Sequence, residues 1–244
     1  VWRPVFRWMI QATDYNLAAS REIARVAEGI APGTRVEPLT NGVETELFRP
    51  VPPTLPGLPP GRHRLVVPRR LFPKNGVEFA IRALPLIREG VDAEMVVVGD
   101  GPERARLEAL ARELGVASHL SFLGARPHRE MPGLLSSADL AIFPSLMEAT
   151  SVAALECMSC QVPVAASRVG GLPEIVDDTV GGLFAPGDPE DLARTVVRLV
   201  SDPQLAARGR AGRARVEASW SNARLAQRHL EIYRGLLTPT SPRG

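Results

Sequence analysis

Short, uninterrupted apolar runs alternate with helical patterns through most of the chain after Arg62. Runs that fit buried strands lie at 65–67, 95–98, 120–123, 140–143, 164–166 and 182–184. Helical patterns fill most of the gaps, at 76–88, 103–114, 130–137, 152–159, 173–176 and 190–199. Continuous apolar strands that alternate with helices indicate a parallel sheet covered on both faces. The sequence therefore predicts a doubly wound, Rossmann-like α/β domain whose ligands bind beyond the carboxyl ends of the strands.

A proline-rich segment precedes this domain. Residues 50–61 read PVPPTLPGLPPG, and such a proline density favours an extended, semi-rigid spacer and forbids a helix. We therefore place a linker at 49–61 and a domain boundary with it.

Composition narrows the class of protein. The net charge of +2 gives no field that would attract nucleic acid, and no apolar run is as long as a membrane span. Among the 29 basic residues only Lys74 is a lysine. Cys157 and Cys160 form one C-x-x-C without the further ligands that zinc requires, and they close a helix whereas a redox motif usually opens one. We expect two buried thiols in a reducing cytoplasm.

The stretch from Pro144 to Glu174 has the features of a site for an anion with hydroxyls around it. Thr150 or Ser151 can cap the helix predicted at 152–159, and a helix N-terminus with free N–H groups suits a phosphate. Glu148 and Glu156 flank that N-terminus. An ionised carboxylate only accepts hydrogen bonds, so the pair suits hydroxyl groups. Phosphate and polyol together describe a nucleotide sugar.

Glu148 and Glu156 also form an E-x7-E pattern, with Pro144-Ser145 before it and Gly170-Gly171-x-x-Glu174 after it. In this order the stretch resembles the donor-binding core of the family 4 glycosyltransferases, retaining enzymes of the two-Rossmann-domain type called GT-B. The alternative is that Glu148 is a solvated loop residue and Glu156 an exposed helix residue.

The resemblance implies a role for each part of this stretch. Glu148, the candidate catalytic residue, would accept hydrogen bonds from the donor sugar and steady charge as the glycosidic bond breaks. Glu156 would accept from the ribose hydroxyls. Backbone N–H groups of Thr150, Ser151 and Val152 would assist in binding the diphosphate.

The segment RRLFPKNG, which begins at Arg69, resembles the family element G-R-L-x-x-x-K-G, whose arginine and lysine hold the diphosphate. If Arg70 is aligned with the family's arginine, Asn75 falls at the lysine position. Arg69 and Lys74 restore the spacing in another register. We expect Lys74 to bind the diphosphate because an ammonium is a compact point charge, and the choice between the two arginines stays open. The alternative is a solvated basic loop.

Two further loops resemble family elements. Gly99 and Gly101, in the segment GDGPE, are expected to permit a sharp turn from strand to helix and a close backbone approach to the ligand. Arg126 follows the segment FLG, where relatives contact the nucleotide base through backbone groups. His128 is expected to be a loop residue, because the family's active-site histidine comes from the N-terminal domain.

The resemblance matches only the C-terminal half of a family member and the trailing edge of the other half. It predicts the end of the N-terminal domain at 1–48, a nucleotide-sugar-binding domain at 62–220, a helix at 221–237 that crosses back, and a disordered tail at 238–244. The cluster of Trp2, Phe6 and Trp8 could instead be a membrane-surface anchor.

The expected function is transfer of a hexose from a nucleoside diphosphate sugar to an acceptor with retention, without a metal or other cofactor. The expected partners are the donor, an acceptor that the sequence does not identify and the missing N-terminal domain. The expected location is the cytoplasm, at the inner face of the membrane if the aromatic cluster is an anchor. The alternatives are a nucleotide-sugar-binding module without turnover and a sugar-nucleotide epimerase of GT-B type.

Overall fold

The computed structural model describes residues 2–237 of the 244-residue chain. The strands are β1 Asn16–Ala18, β2 Val36–Pro38, β3 His63–Val67, β4 Ala93–Val98, β5 Leu120–Gly124, β6 Leu140–Phe143, β7 Val164–Ser167 and β8 Gly181–Phe184. The α-helices are α1 Arg3–Gln11, α2 Arg21–Ile30, α3 Val77–Gly90, α4 Arg104–Glu113, α5 Met131–Leu135, α6 Val152–Ser159, α7 Leu172–Ile175, α8 Pro189–Val200, α9 Leu205–Ser219 and α10 Asn222–Leu237. The tail predicted to be disordered, 238–244, lies outside the described residues.

Strands β3 to β8 form one six-stranded sheet in the order β5-β4-β3-β6-β7-β8, and every neighbouring pair is parallel. Alternate residues of β3 enter opposite layers of the core: Leu65 and Val67 pack with residues of α3, α4 and α8, and Val66 packs with residues of α6. Helices therefore cover both faces. The predicted doubly wound, Rossmann-like fold is confirmed, and each of its six strands lies where the apolar runs placed it.

The strand order reverses between β3 and β6. The chain runs outward from β3 through β4 to β5, returns to the middle of the sheet at β6, and continues outward on the other side to β8. In a parallel sheet such a reversal opens a crevice beyond the carboxyl ends of the two central strands. The loop after β3 and the loop after β6 consequently lie side by side.

Residues before the main sheet form a small unit that contacts the C-terminal helix. Strands β1 and β2 pair in parallel, and Ser20 caps α2 by accepting a hydrogen bond from Ile23 N. Arg228 of α10 donates two hydrogen bonds to Glu37 of β2, and Val43 forms a bridge with Ser221. The predicted strand-then-helix order around Ser20 is present.

The linker lies along α5. Thr54 N donates to Gly133 O at 3.2 Å, and Thr54 N and Leu55 N both donate to Ser137 Oγ. Residues 50–61 contain no helix, as their prolines predict.

Three elements were not predicted, namely α1, β2 and α9. Helix α9 has no marked apolar stripe, because it packs through small residues. A Cβ atom on Gly209 would lie 2.1 Å from Gln161 O, so glycine lets the helix backbone approach the end of α6. Helix α1 has no buried residue, and Trp2 and Trp8 are 69% and 68% exposed. Within residues 2–237 no helix combines the length and apolar character needed to cross a membrane.

Candidate functional site

Arg69 occupies the crevice between the two central strands. It follows β3, and its Nη2 donates to Asn75 Oδ1 at 2.9 Å, to Ser145 Oγ at 2.9 Å and to Glu148 Oε2 at 2.5 Å. Its guanidinium also lies 5.6 Å from the centre of the Phe143 ring. One side chain thus ties the loop after β3 to the loop after β6, at the place where the fold predicts a ligand.

The Gly170-Gly171 pair holds the backbone of the Glu148 loop. Gly170 has φ of +54°, and a Cβ atom there would lie 1.5 Å from Glu148 O. A Cβ atom on Gly171 would lie 2.4 Å from Ala149 O. Only glycine permits this contact, so the pair positions the Glu148 backbone while Arg69 holds its side chain.

Ser151, and not Thr150, caps the helix that begins beside Glu148. Its Oγ accepts from Ala154 N, which satisfies one of the free N–H groups of the first turn of α6. Within residues 2–237 no hydrogen bond is recorded for the backbone N–H groups of Thr150, Ser151 and Val152. These donors, at the positive end of a helix dipole, remain available to an anion.

Lys74 and Arg70 lie on the same loop but face different surroundings. Lys74 is exposed, and its carbonyl oxygen accepts from Leu146 N at 2.8 Å, which fastens the basic loop to the loop after β6. Its ammonium has no recorded partner in the described part of the chain. Arg70 is exposed and stacks over Phe72, with 5.6 Å from its guanidinium to the ring centre. Arg69 is therefore the arginine of the pair that enters the crevice in this structure.

Asn75, which stands at the family's lysine position when Arg70 is aligned, has a structural task. It is buried, and its Nδ2 donates to Arg70 O at 2.6 Å while its Oδ1 accepts from Arg69. The next residue, Gly76, has φ of +63°, and a Cβ atom there would lie 1.9 Å from Pro144 O. The sequence analysis did not identify Asn75 and Ser145 as partners of Arg69. The available signals were the Asn75-Gly76 dipeptide, which is typical of a turn, and a serine just after a predicted strand.

Gly99 and Gly101 pack against the backbone of the loop that carries Arg69 and Lys74. A Cβ atom on Gly99 would lie 2.2 Å from Arg69 O, and one on Gly101 would lie 2.4 Å from Leu71 O. The sharp turn between β4 and α4 is present, and these two glycines allow it to pack against the loop that carries Arg69.

Glu156 lies on the second turn of α6 with its side chain 13% exposed, and it is paired with His128. The two side chains meet at 2.9 Å between His128 Nε2 and Glu156 Oε1. Burial raises the pKa of Glu156, and the hydrogen bond from His128 opposes that rise. The expectation that His128 is only a loop residue is incomplete, because its ring contacts Glu156, a residue predicted to bind the donor.

Arg126 lies apart from the side chains around Arg69. It lines a cavity of about 740 Å³ together with Leu123 of β5 and with Arg49, Thr54 and other residues of the linker region. Arg69 Nη1 also donates to Ser151 Oγ at 3.5 Å, so the structure brings Arg69, Glu148 and Ser151 together. It places Arg126 at the linker side of the loop after β5.

Cys157 and Cys160 are buried and unpaired, as their small size and position predict. Burial raises the pKa of the Cys157 thiol and raises that of Cys160 to about 12. Such protonated, enclosed thiols are unreactive.

Glu174 reaches the small unit before the sheet. Its Oε1 accepts from the backbone N–H of Arg21 at 2.8 Å, at the first turn of α2. The glycine-rich loop that supports Glu148 is therefore followed directly by a contact with the part of the chain predicted to end the N-terminal domain.

The chain is similar to known glycosyltransferases in sequence and in fold. Residues 56–215 match the model of the family described as "Glycosyl transferases group 1". The chain is 35% identical over 252 residues to a GDP-mannose-dependent alpha-(1-6)-phosphatidylinositol monomannoside mannosyltransferase of Mycobacterium tuberculosis. That alignment includes 96% of this chain and 65% of the relative's length.

Solved structures agree with this similarity. A sucrose-phosphate synthase from Thermosynechococcus elongatus superposes with a TM-score of 0.86 at 26% identity, covering 98% of this chain and 62% of that one. Anabaena HepE in complex with UDP superposes with a TM-score of 0.82 at 21% identity, covering 96% and 68%, and at this identity shows the fold alone. The family that the Glu148–Glu156 pattern predicted is confirmed: the chain belongs to the group 1 glycosyl transferases.

Proposed function

We propose that this chain binds a nucleoside diphosphate sugar in the crevice between β3 and β6, and that the whole protein transfers the hexose to an acceptor with retention of configuration. One observation carries the proposal. Glu148 and Glu156 stand on either side of the α6 N-terminus, whose N–H groups at Thr150 to Val152 have no recorded partner in residues 2–237. Hydroxyl acceptors around a free anion site suit a phosphorylated polyol.

The diphosphate is assigned to the α6 N-terminus and Lys74. The ammonium of Lys74 is unpaired within residues 2–237, and its loop is fastened beside Leu146 of the loop that leads to α6. Arg69 adds positive charge to the crevice. Its Nε is buried without a hydrogen-bond partner among the described residues, and an unsatisfied donor of this kind costs about 1–3 kcal/mol. A ligand oxygen could satisfy this donor only after the neighbouring side chains move, because the atom is buried.

The two carboxylates take different hydroxyls in this proposal. Glu148, held by Arg69 and by Gly170, accepts from the donor sugar and offsets positive charge that develops at the anomeric carbon. Glu156, on the second turn of α6, accepts from the ribose hydroxyls. The base would contact the loop after β5 near Arg126 in this proposal.

The leaving diphosphate is stabilised here without a metal ion in our proposal. The helix N-terminus, Lys74 and Arg69 supply the positive charge that a cation would otherwise provide. Transfer by the whole protein should therefore continue when divalent cations are removed with EDTA. A loss of turnover that returns on addition of Mg²⁺ or Mn²⁺ would contradict this part of the proposal.

The relatives suggest which donors to test. The mycobacterial relative is GDP-mannose-dependent, and HepE has been solved with UDP. GDP-mannose is the donor we propose first because the mycobacterial match covers 96% of the chain. The chain spans 65% of that relative's length, so the acceptor and the transfer to it are proposed for the whole protein only.

We also propose that the protein acts in the cytoplasm, as its buried, unpaired thiols predict. Peripheral contact with a membrane would use the exposed Trp2, Phe6 and Trp8 at α1. Co-sedimentation of the chain with anionic vesicles, compared with a Trp2→Ala/Trp8→Ala variant, tests this contact; equal sedimentation of both would contradict it.

Calorimetric titration of the chain with GDP, UDP and ADP tests the donor site. We expect saturable binding of one nucleotide, weakened by Lys74→Ala and by Glu156→Ala. No binding of any of the three to a folded chain would overturn the proposal. Hexose transfer by the whole protein separates an enzyme from a binding module, and conversion of the donor without any acceptor would indicate an epimerase.

A further inference from the structure

His128 links Glu156, the residue predicted to bind the ribose, to Phe48, which directly precedes the linker. It begins a 3₁₀ turn, His128–Glu130, after β5, and its Nε2 lies 2.9 Å from Glu156 Oε1. Its ring meets the Phe48 ring edge-on, with 4.8 Å between centroids. One imidazole thus contacts the Glu156 carboxylate of α6 and the aromatic ring of Phe48, which directly precedes the linker.

Phe48 is a fixed support for that ring. It is 1% exposed, and its carbonyl oxygen accepts hydrogen bonds from Ser159 Oγ at 2.5 Å and from Arg213 Nη1 at 3.2 Å. Its own N–H donates to Glu44 O at 2.8 Å. The His128 ring therefore rests on a residue that α6 and α9 hold in place without any ligand.

The contact with His128 uses only one of the two carboxylate oxygens of Glu156. His128 engages Oε1, whereas no hydrogen bond to Oε2 is recorded within residues 2–237. A protonated Nε2 donates to the carboxylate oxygen, which can only accept. A glutamate side chain has several rotamers, and a fixed donor on one oxygen restricts where the other one lies.

We propose that His128 is a positioning residue for the donor: it fixes the Glu156 carboxylate so that its second oxygen accepts from the ribose hydroxyls. The assignment rests on the proposed function, because it requires a nucleotide in the crevice. His128 itself touches no reacting atom in this scheme. Its effect passes through Glu156, and this separates it from a residue that merely stabilises the fold.

The test compares ribose-containing and ribose-deficient ligands. Calorimetry with GDP, UDP and ADP identifies the nucleotide that the wild-type chain binds, and its 2′,3′-dideoxy form is then titrated. We expect His128→Ala to weaken binding of the ribonucleotide roughly tenfold, the size of one charge-assisted hydrogen bond. Binding of the dideoxy form should not change. His128→Gln, which keeps a side-chain N–H donor, should restore much of the affinity.

Two controls separate this role from a structural one. His119→Ala removes a half-buried histidine at the other end of β5 and should leave both affinities unchanged. In a Glu156→Ala background, His128→Ala should have no further effect, because the side chain through which it acts is gone.

Ribonucleotide binding that is unchanged or tighter in His128→Ala, or an equal loss for both ligand forms, would overturn the positioning role and leave the donor site in place. Absence of binding by the folded wild-type chain would overturn the proposed function and this assignment with it.

Discussion

The guanidinium of Arg69 bonds to the Glu148 carboxylate at 2.5 Å, across the two loops that follow the central strands of the sheet. The side chains are 11% and 14% exposed, so this is a nearly buried ion pair. Such a pair is costly to break from one side, because the remaining charge is left without a partner. Arg69 therefore holds the candidate catalytic carboxylate as well as adding charge to the crevice.

Replacement of Arg69 by methionine should destabilise the chain by about 3 kcal/mol, since it leaves Glu148 unpaired. The neighbouring Arg70→Met is the matched control and should change stability by less than about 0.5 kcal/mol, because Arg70 is exposed. Urea unfolding followed by circular dichroism measures both. Adding Glu148→Gln to Arg69→Met should recover part of the loss, and equal losses for the two arginine variants would contradict the pairing.

Gly170 should tolerate no side chain. Its φ is +54°, and an added Cβ atom would lie 1.5 Å from Glu148 O, so a substitution combines a conformational cost with a collision. We expect Gly170→Ala to lower the free energy of unfolding by about 3 kcal/mol. Gly33→Ala separates the two terms, because Gly33 has φ of +84° in open space and should cost about 1 kcal/mol. Similar losses of stability for the two variants would contradict the collision, because they would show that the loop moves to make room for the added methyl group.

Lys74 offers a direct chemical probe because it is the only lysine in the sequence. Acylation by an amine-reactive reagent, read by mass spectrometry of its peptide, should slow about tenfold when the bound nucleoside diphosphate covers the ammonium. The corresponding nucleoside should not protect it. Lys74→Ala should weaken diphosphate binding and leave nucleoside binding unchanged, whereas Arg82→Ala, an exposed charge on α3, should affect neither. Equal labelling with and without nucleotide would remove Lys74 from the site.

Glu37 should make stability fall at acid pH. Hydrogen bonds from Arg228 lower the pKa of Glu37 from 4.5 to about 2, and Tyr15 donates a further bond. A carboxyl whose pKa is depressed by folding stabilises the native state above its unfolded pKa. Its contribution is therefore complete above about pH 4.5 and is lost as the pH falls toward 2.

Thermal unfolding of Glu37→Gln tests this dependence. The variant should be less stable than wild type by about 1 kcal/mol at pH 7, a modest value because solvent screens a partly exposed pair. The difference should shrink between pH 4.5 and 2. Glu231→Gln, which removes an exposed partner of the same arginine, should have a smaller effect. A constant difference across the pH range would exclude Glu37 as its source.

The sequence predicts the main sheet well because its signal is local. Apolar runs such as 140–143 and 164–166 must be buried on both faces, and the helices between them repeat on a different period. Helix α9 was missed for a related reason. Its buried positions include Gly209 and Gly212, and small residues that allow close backbone packing leave no apolar stripe to recognise.

The sequence also predicted candidate site residues, since Glu148, Glu156 and Lys74 lie in loops after strands or in the helix that follows, in a family pattern. The contacts among the site residues were not. His128 and Glu156 are separated by 28 positions, and Arg69 and Glu148 by 79. No periodicity relates residues so far apart, and only the order of strands in the sheet determines which loops meet.

By itself, therefore, the sequence determined the α/β class and the family, and it predicted the charged residues of the candidate site. The tertiary structure alone decided that Arg69 enters the crevice while Arg70 faces solvent, and that His128 reaches Glu156. The physical reason is that element formation depends on neighbours along the chain. Side-chain pairing depends instead on the reversal of strand order between β3 and β6 and on glycines that let distant backbones touch.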